Sequence, residues 1–341
     1  MRFHVDPAAK DPIYKQLVNQ VERALHEGRL KADEQIPSLN TMAEKLGISK
    51  ETVKKAYGEL VSRNVIVPRH GKGFFAADID TSSHKQVLVI FDKLSVYKQI
   101  LFNAFAGTLG DNAEVTIVNH NQNLDLLEYY LDNYLDRFDY YVITPHFPLD
   151  SESQARALKQ IARIPNRKLI MLDRLQPDYP GNYGAVYQDF ENDIYYGLMQ
   201  GVKEGAKIDR LRVITLPSSL YGNDIHKGVE RFSSDMSIPV EFMTEAPMDI
   251  NSGDTFLVLN SQLDAGLVTL WHNILQSGLE IGTDVRIIAY NESDMCELIL
   301  GGLTTVSADF RKMGQLAAEM ILNHKAEKLH CDFRMNKRHT F

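Results

Sequence analysis

Cysteine is nearly missing from this chain. Cys296 and Cys331 are the two present in 341 residues, too few for a disulfide framework and consistent with a reducing compartment. Apolar runs long enough to span a membrane are missing as well. The opening residues, Met1-Arg2-Phe3-His4-Val5-Asp6-Pro7, hold no apolar stretch of the length a secretion signal needs. A cytoplasmic location is expected. Catalytic signatures are equally sparse. There is no Gly-x-Ser-x-Gly elbow and no P-loop, the histidines are scattered, and His330-Cys331 has no partners at zinc spacing. The expectation is a chain that is not an enzyme and carries neither cofactor nor metal.

What is present is an ordinary globular composition, 44% hydrophobic and 24% charged, in a length that predicts two or three domains. The most informative stretch is Ile36 to Phe75. Pro37-Ser38 opens an apolar-periodic run (Leu39, Met42, Ala43, Leu46), Gly47-Ile48-Ser49 breaks it, and Thr52, Val53, Ala56, Tyr57 and Leu60 resume it at helical spacing. Gly71 and Gly73 follow a short apolar strand, Val65-Ile66-Val67. The pattern predicts helix, tight turn, helix and a two-stranded wing with a glycine tip, an arrangement that pushes one helix into a DNA groove. An earlier helix is expected from about Pro12 to Gly28, with Ile13, Leu17, Val21, Ala24 and Leu25 on its apolar face. Ser38 and Ser49 are the expected N-caps of the second and third helices.

Candidate DNA contacts follow from what the apolar period leaves outward. On helix two these are Ser38 and Asn40. At the start of helix three they are Ser49, Lys50, Glu51, Thr52, Lys54 and Lys55, where side chains and free backbone amides reach base edges or phosphates. In the wing, Arg69, His70 and Lys72 bracket Gly71 and Gly73, whose missing side chains let the backbone approach closely. Net charge is −8, yet residues 1–80 carry 13 lysines and arginines against 11 acids, leaving 24 against 34 in the rest. A small DNA-facing module on a larger acidic body fits that asymmetry.

These residues carry a resemblance. Pro12-Ile13-Tyr14-x-Gln16, Ile36-Pro37-Ser38, Met42-Ala43-x-x-Leu46-Gly47-Ile48-Ser49, Thr52-Val53-x-x-Ala56-Tyr57 and Gly71-x-Gly73-x-Phe75 resemble the winged helix-turn-helix domain of GntR-type bacterial transcription regulators. Two positions depart from that pattern. The arginine usual two residues after Pro-Ser is Asn40, and the arginine usual after the turn's serine is Lys50. Lysine keeps the charge but not the bidentate fork that reads guanine, so the resemblance implies DNA binding with an unusual operator sequence.

Residues 78–85 are polar and without period, and read as a linker between domains at 1–77 and 86–341. Beyond it, short apolar strands alternate with amphipathic helices, from Val87–Phe91 through Val285–Tyr290. That alternation predicts parallel sheets, which bind ligands at the carboxyl ends of their strands. Those ends offer Asp92, Lys93, Ser95 and Tyr97 after the first strand, then Thr144, His146 and Phe147, then Asp173 and Arg174, and later Tyr221, Asn223, Asn260 and Asn291. Polar donors and acceptors with a few aromatics suit a sugar, whose hydroxyls need hydrogen bonds and whose C–H faces stack.

Leu172-Asp173-Arg174, Gly222 to Gly228, Leu259-Asn260, Ile288-Ala289-Tyr290-Asn291, Leu303-Thr304-Thr305-Val306 and Met313-Gly314-x-x-Ala317-Ala318 are similar, in order and spacing, to LacI/GalR-type effector domains. Arg338-His339-Thr340 is similar to the last strand of that family. The resemblance implies a type I periplasmic-binding-protein fold: two α/β lobes, three chain crossings between them, and a ligand cleft. The family's sugar-gripping arginine is here Ile225, for which Asn223, Asp224 or His226 are the expected substitutes, and its late aspartate is Asn291. A monosaccharide is the first expectation for the effector, with a nucleoside or other small metabolite behind it.

The function expected is a DNA-binding regulator, a repressor, controlled by a small molecule and acting as a homodimer on operator DNA. The alternative is a solute-binding or sugar-processing protein with no gene-regulatory role. It leaves residues 1–77 unexplained.

Overall fold

The computed structural model describes residues 3–6, 12–26, 29–63, 65–77, 85–203, 207–216, 219–259 and 265–341. The chain divides into two compact units, residues 1–85 with 180–183, and the remainder. Among the described residues, no helix is long and apolar enough to cross a membrane.

In the first unit, helix α1 spans Ile13–His26, α2 Leu39–Leu46 and α3 Lys50–Ser62, followed by strands β1 (Ile66–Arg69) and β2 (Gly73–Ala76). The expected end of α1 at Gly28 lies outside the described residues. Leu17, Val21, Ala24 and Leu25 pack with Met42, Val53, Ala56, Tyr57 and Leu60 in one core, as the periodicity required. Gln16 and Gln20 tie the preceding segment to α1, Gln16 through both amide atoms to the backbone of Asp6 at 2.9 Å. Ser38 and Ser49 cap α2 and α3, accepting from the Thr41 and Thr52 amides. Gly47 takes φ +64° between them, a conformation that costs a side-chain-bearing residue about 1 kcal/mol or more. β1 and β2 pair antiparallel from Ile66↔Ala76 to Arg69↔Gly73.

β3 (Lys85–Phe91) leads into the second unit, which begins at Gln86, so Lys85 belongs to a strand and not to the linker; residues 78–84 lie outside the described ones. α4 (Val96–Leu109), β4 (Ala113–Asn119), α5 (Leu124–Tyr134), β5 (Tyr140–Ile143), α6 (Ser151–Ile161), β6 (Leu169–Asp173) and β7 (Gly184–Tyr187) follow. The chain then crosses to the second lobe: α7 (Phe190–Lys203), β8 (Arg210–Ile214), α8 (Gly222–Met236), β9 (Val240–Met243), β10 (Asp254–Val258), α9 (Ala265–Ser277), β11 (Arg286–Tyr290) and β12 (Thr304–Ala308). Helix α10 (Phe310–Leu322) and β13 (Lys328–His330) return to the first lobe, and β14 (Phe333–Asn336) closes the second.

Each lobe is built on a six-stranded sheet, ordered β13-β7-β6-β5-β3-β4 and β14-β12-β11-β10-β8-β9. Pairs from β13 to β3 and from β12 to β9 are parallel, and β14 is antiparallel to β12. β3, β6 and β10 are buried along nearly their whole length, as strands covered on both faces must be. The three crossings lie side by side: Cys331 N donates to Tyr187 O at 2.8 Å and Asp309 N to Asp332 O at 2.9 Å. The last strand is Phe333–Asn336, not Arg338-His339-Thr340. Those residues follow it, and the buried Thr340 hydroxyl accepts from Thr304 N and donates to Ile287 O, both at 2.8 Å.

Candidate functional site

In the first unit the outward set is as the period predicts. Ser38, Asn40, Ser49, Lys50, Glu51, Lys54, Lys55 and the wing residues Arg69, His70, Gly71, Lys72 and Gly73 are exposed. Thr52 is half-buried, its hydroxyl 2.8 Å from that of Ser49. Both serine caps leave the first turns of α2 and α3 with ordered, outward amides, as an anion at a helix start requires. Gly71 and Gly73 have φ of +69° and +97°, and Gln35 holds the wing by donating to Lys72 O at 2.7 Å. Two cations are less free than the sequence implied. The Lys55 ammonium sits 4.0 Å over the Tyr14 ring. Arg69 pairs with Asp33 and lies 4.4 Å over Phe75.

In the second unit a cleft lies between the lobes, at the carboxyl ends of β3, β6 and β11. It encloses about 130 Å³, room for roughly four waters at about 30 Å³ each. Asp92, Lys93, Tyr97, His146, Asp173, Tyr221 and Asn291 line it, as expected from strand ends, together with Gln122, Gln188, Phe190, Ile225 and Tyr290. Asp173 and Asn291 end corresponding strands of the two lobes with φ of +70° and +73°. Asp and Asn tolerate this backbone better than most residues.

The floor is a buried charge cluster. Lys98, one charge in the fourteen-residue α4, is fully buried. It pairs with Asp173 and lies 3.4 Å from Asp92. His146 Nε2 is 3.0 Å from the same Asp173 oxygen, Gln188 donates to the other one, and Thr144 donates to Asp92 at 3.0 Å. Burial alone would raise the Asp173 carboxyl, but the Lys98 ammonium and His146 outweigh it and hold it well below the carboxylate range. Asp92 is lowered in the same way against the same burial. Burial would lower the Lys98 ammonium, but both carboxylates overcome this and raise it. All three stay charged.

His120 braces this floor. Its Nε2 is 3.0 Å from Thr144 O, its Nδ1 accepts from Gln122 N at 3.1 Å, and its ring stacks on Phe147 at 4.4 Å. Burial pushes the imidazole down to about 4, and a second proton would set Nδ1–H against the Gln122 amide. Between about 6.5, the unfolded value, and 4 the folded state binds fewer protons than the unfolded one. The stabilisation is therefore complete above 6.5 and lost as pH falls toward 4, on the order of 3 kcal/mol. Denaturant unfolding from pH 7 to pH 4 checks this, and His120→Gln is expected to flatten that part of the profile.

The remaining expected residues are placed differently. Ser95 is the buried N-cap of α4, accepting from Lys98 N. Phe147 is buried beneath His120. Arg174 does not pair with Asp173. Its guanidinium lies 4.9 Å over the Tyr221 ring, which also stacks on Phe190 at 4.3 Å and meets His146 edge-on. Asn223 is exposed at the start of α8, Asp224 faces Lys227 at 3.4 Å, and His226 packs on Phe242. None of these three lines the cleft, because Ile225 itself is the residue of that turn that faces inward. Asn260 lies outside the described residues. Lys98 and Gln188 escaped sequence reasoning. The signal for Lys98 was a lone charge in an otherwise uncharged helix; Gln188 carried none.

Residues 13–76 match the bacterial regulatory proteins of the gntR family, and residues 228–331 match the periplasmic binding protein-like domain. The chain therefore carries a GntR-type helix-turn-helix domain followed by a periplasmic-binding-protein-like domain. It is 27% identical over 99 residues to the HTH-type transcriptional repressor YtrA of Bacillus subtilis, covering 29% of this chain and 72% of that protein. It is 30% identical over 116 residues to the lactose operon repressor of Escherichia coli, covering 33% of this chain and 31% of that one. Across the curated relatives the matched share of the relative runs as low as 14%. Among solved structures, a LacI family transcriptional regulator from Enterococcus faecium, with bound ribose, aligns with a TM-score of 0.54 and 21% identity over 75% of this chain and 98% of that one, a likeness of fold.

Proposed function

We propose that this protein is a transcription regulator whose winged helix-turn-helix binds operator DNA and whose interlobe cleft binds a monosaccharide effector. The observation that carries the reading is the presence, in one chain, of a groove-reading helix with its wing and a small polar cleft between two hinged lobes. The ribose held by the Enterococcus faecium neighbour supports a sugar, as does the cleft's own mixture of hydrogen-bonding and aromatic groups. The protein acts as a homodimer on a pseudo-palindromic operator, mirroring two-fold symmetry. The effector changes operator affinity only by binding two arrangements of the lobes unequally, and the expected sign is release of DNA. No turnover of the sugar is expected.

Titration of a duplex from the region upstream of its own gene tests the DNA half. Lys50, Lys54 and Lys72 in two protomers neutralise six phosphates, so log K is expected to fall with log salt at a slope of about −5. Lys54→Ala is expected to make the slope shallower by about 2 and leave thermal stability unchanged, since that side chain is exposed and its partner Glu51 stands 3.8 Å away in solvent. A flat salt response, or no DNA binding at low salt, favours a solute-binding protein without regulatory role.

A further inference from the structure

We propose that the effector is an uncharged sugar, and that the cleft rejects the phosphorylated and carboxylate-bearing forms of the same ring. This deepens, and rests on, the sugar reading above.

The argument begins with the floor. Two carboxylates, Asp92 and Asp173, face the cleft, and the ammonium buried beside them, Lys98, is committed to both. His146 is committed to Asp173 as well. Among the described residues no positive charge is left over on the floor to meet a phosphate or a carboxylate, while two fixed negative charges stand ready to repel one in a poorly solvated site. Lys93, the other cation lining the cleft, is solvent-exposed, where its charge is screened.

The groups that lack partners point the same way. Five buried polar atoms on lining residues have no hydrogen-bond partner: the hydroxyls of Tyr221 and Tyr290, the side-chain oxygens of Gln188 and Asn291, and His146 Nε2, which approaches Asp173 at 3.0 Å without the angles of a hydrogen bond. The two hydroxyls both donate and accept, and the two amide oxygens only accept. A ligand hydroxyl both donates and accepts, so a ring of hydroxyls satisfies both kinds at once. A phosphate only accepts, and leaves the amide oxygens and both carboxylates facing another acceptor. Unmatched buried polar groups are what give such sites their selectivity.

One group could overturn this. Arg174 has a buried Nη1 without a partner and no ion pair among the described residues. It is not a lining residue, but it stands behind the Tyr221 ring.

The test is a thermal-shift screen of the full-length protein against free aldopentoses and aldohexoses, each beside its terminal phosphate and its uronic acid. Titration calorimetry of the hits follows. At least one free sugar is expected to raise the melting temperature. Its charged forms are expected to bind at least about 100-fold more weakly, with the parent sugar's affinity unchanged between low and high salt. A phosphate or uronate that binds as tightly as its parent overturns the inference and leaves the sugar reading standing; loss of that binding in Arg174→Gln would place the anion there. No shift from any member removes the sugar reading, and this inference with it.

Discussion

Replacing Lys98 by methionine is expected to lower the unfolding free energy of the second unit by about 3–5 kcal/mol at neutral pH. Methionine fills nearly the same volume, so packing loss is minor and the cost is electrostatic. Lys98 is fully buried, and its ammonium is what holds Asp92 and Asp173 charged in a site where burial disfavours both. Without it, two desolvated carboxylates stand near one another with His146 as the single remaining counter-group. The deficit is expected to shrink as pH falls, because protonating one carboxylate removes the repulsion. The double variant Lys98→Met with Asp173→Asn is expected to recover part of the loss, since asparagine accepts the +70° φ of that position. Urea unfolding of the single and double variants measures the coupling directly. A single variant within 1 kcal/mol of the parent, roughly the range of an exposed pair, would show that the cluster is not buried in solution.

The second large effect is expected at Gly314. Glycine to alanine inside an exposed helix normally stabilises by about 1 kcal/mol. Here the sign reverses. A Cβ at Gly314 would stand 2.2 Å from Leu101 O and 2.9 Å from Phe105 N. Those are backbone atoms of the packed helix α4 and cannot rotate away. Helices α10 and α4 must separate, which costs about 3 kcal/mol and lowers the melting temperature of the second unit by roughly 6–12 °C. Gly228 makes the equivalent contact in the other lobe, with Glu191 O 2.2 Å from its would-be Cβ, so Gly228→Ala is expected to behave alike. Circular dichroism melts of both variants check this, and a raised melting temperature for either would mean the helices stand further apart than described.

Gly228 and Gly314 also mark where sequence reasoning stopped. Both stood out as motif positions, yet nothing local says why glycine is needed in a helix interior. The reason is a helix in another part of the chain. The cleft was legible to a similar depth. Its parallel strands announced themselves as apolar runs, and strand ends nominated Lys93, Tyr97, His146, Asp173, Tyr221 and Asn291, all of which line it. The same rule nominated Ser95, Phe147 and Asn223, which cap a helix, pack beneath a histidine and face solvent. A strand end says that a residue is near the ligand face, not which way its side chain turns.

The amino-acid sequence by itself determined the helix-turn-helix with its wing, because that module is written in local terms. Caps at Ser38 and Ser49, a left-handed glycine at Gly47, apolar period within helices and glycines at a hairpin tip each act over a few residues. It also determined that the larger unit is built of parallel strands and helices, for the same reason of period. Only the tertiary structure decided the chemistry of the cleft. Lys98 and Asp173 are 75 residues apart, and His146 and Tyr221 are just as far. Whether a lysine is a solvated surface charge or the buried counter-ion of two carboxylates depends on what the fold brings to it. Electrostatic energies depend on distance and burial, and neither is encoded in the neighbouring residues.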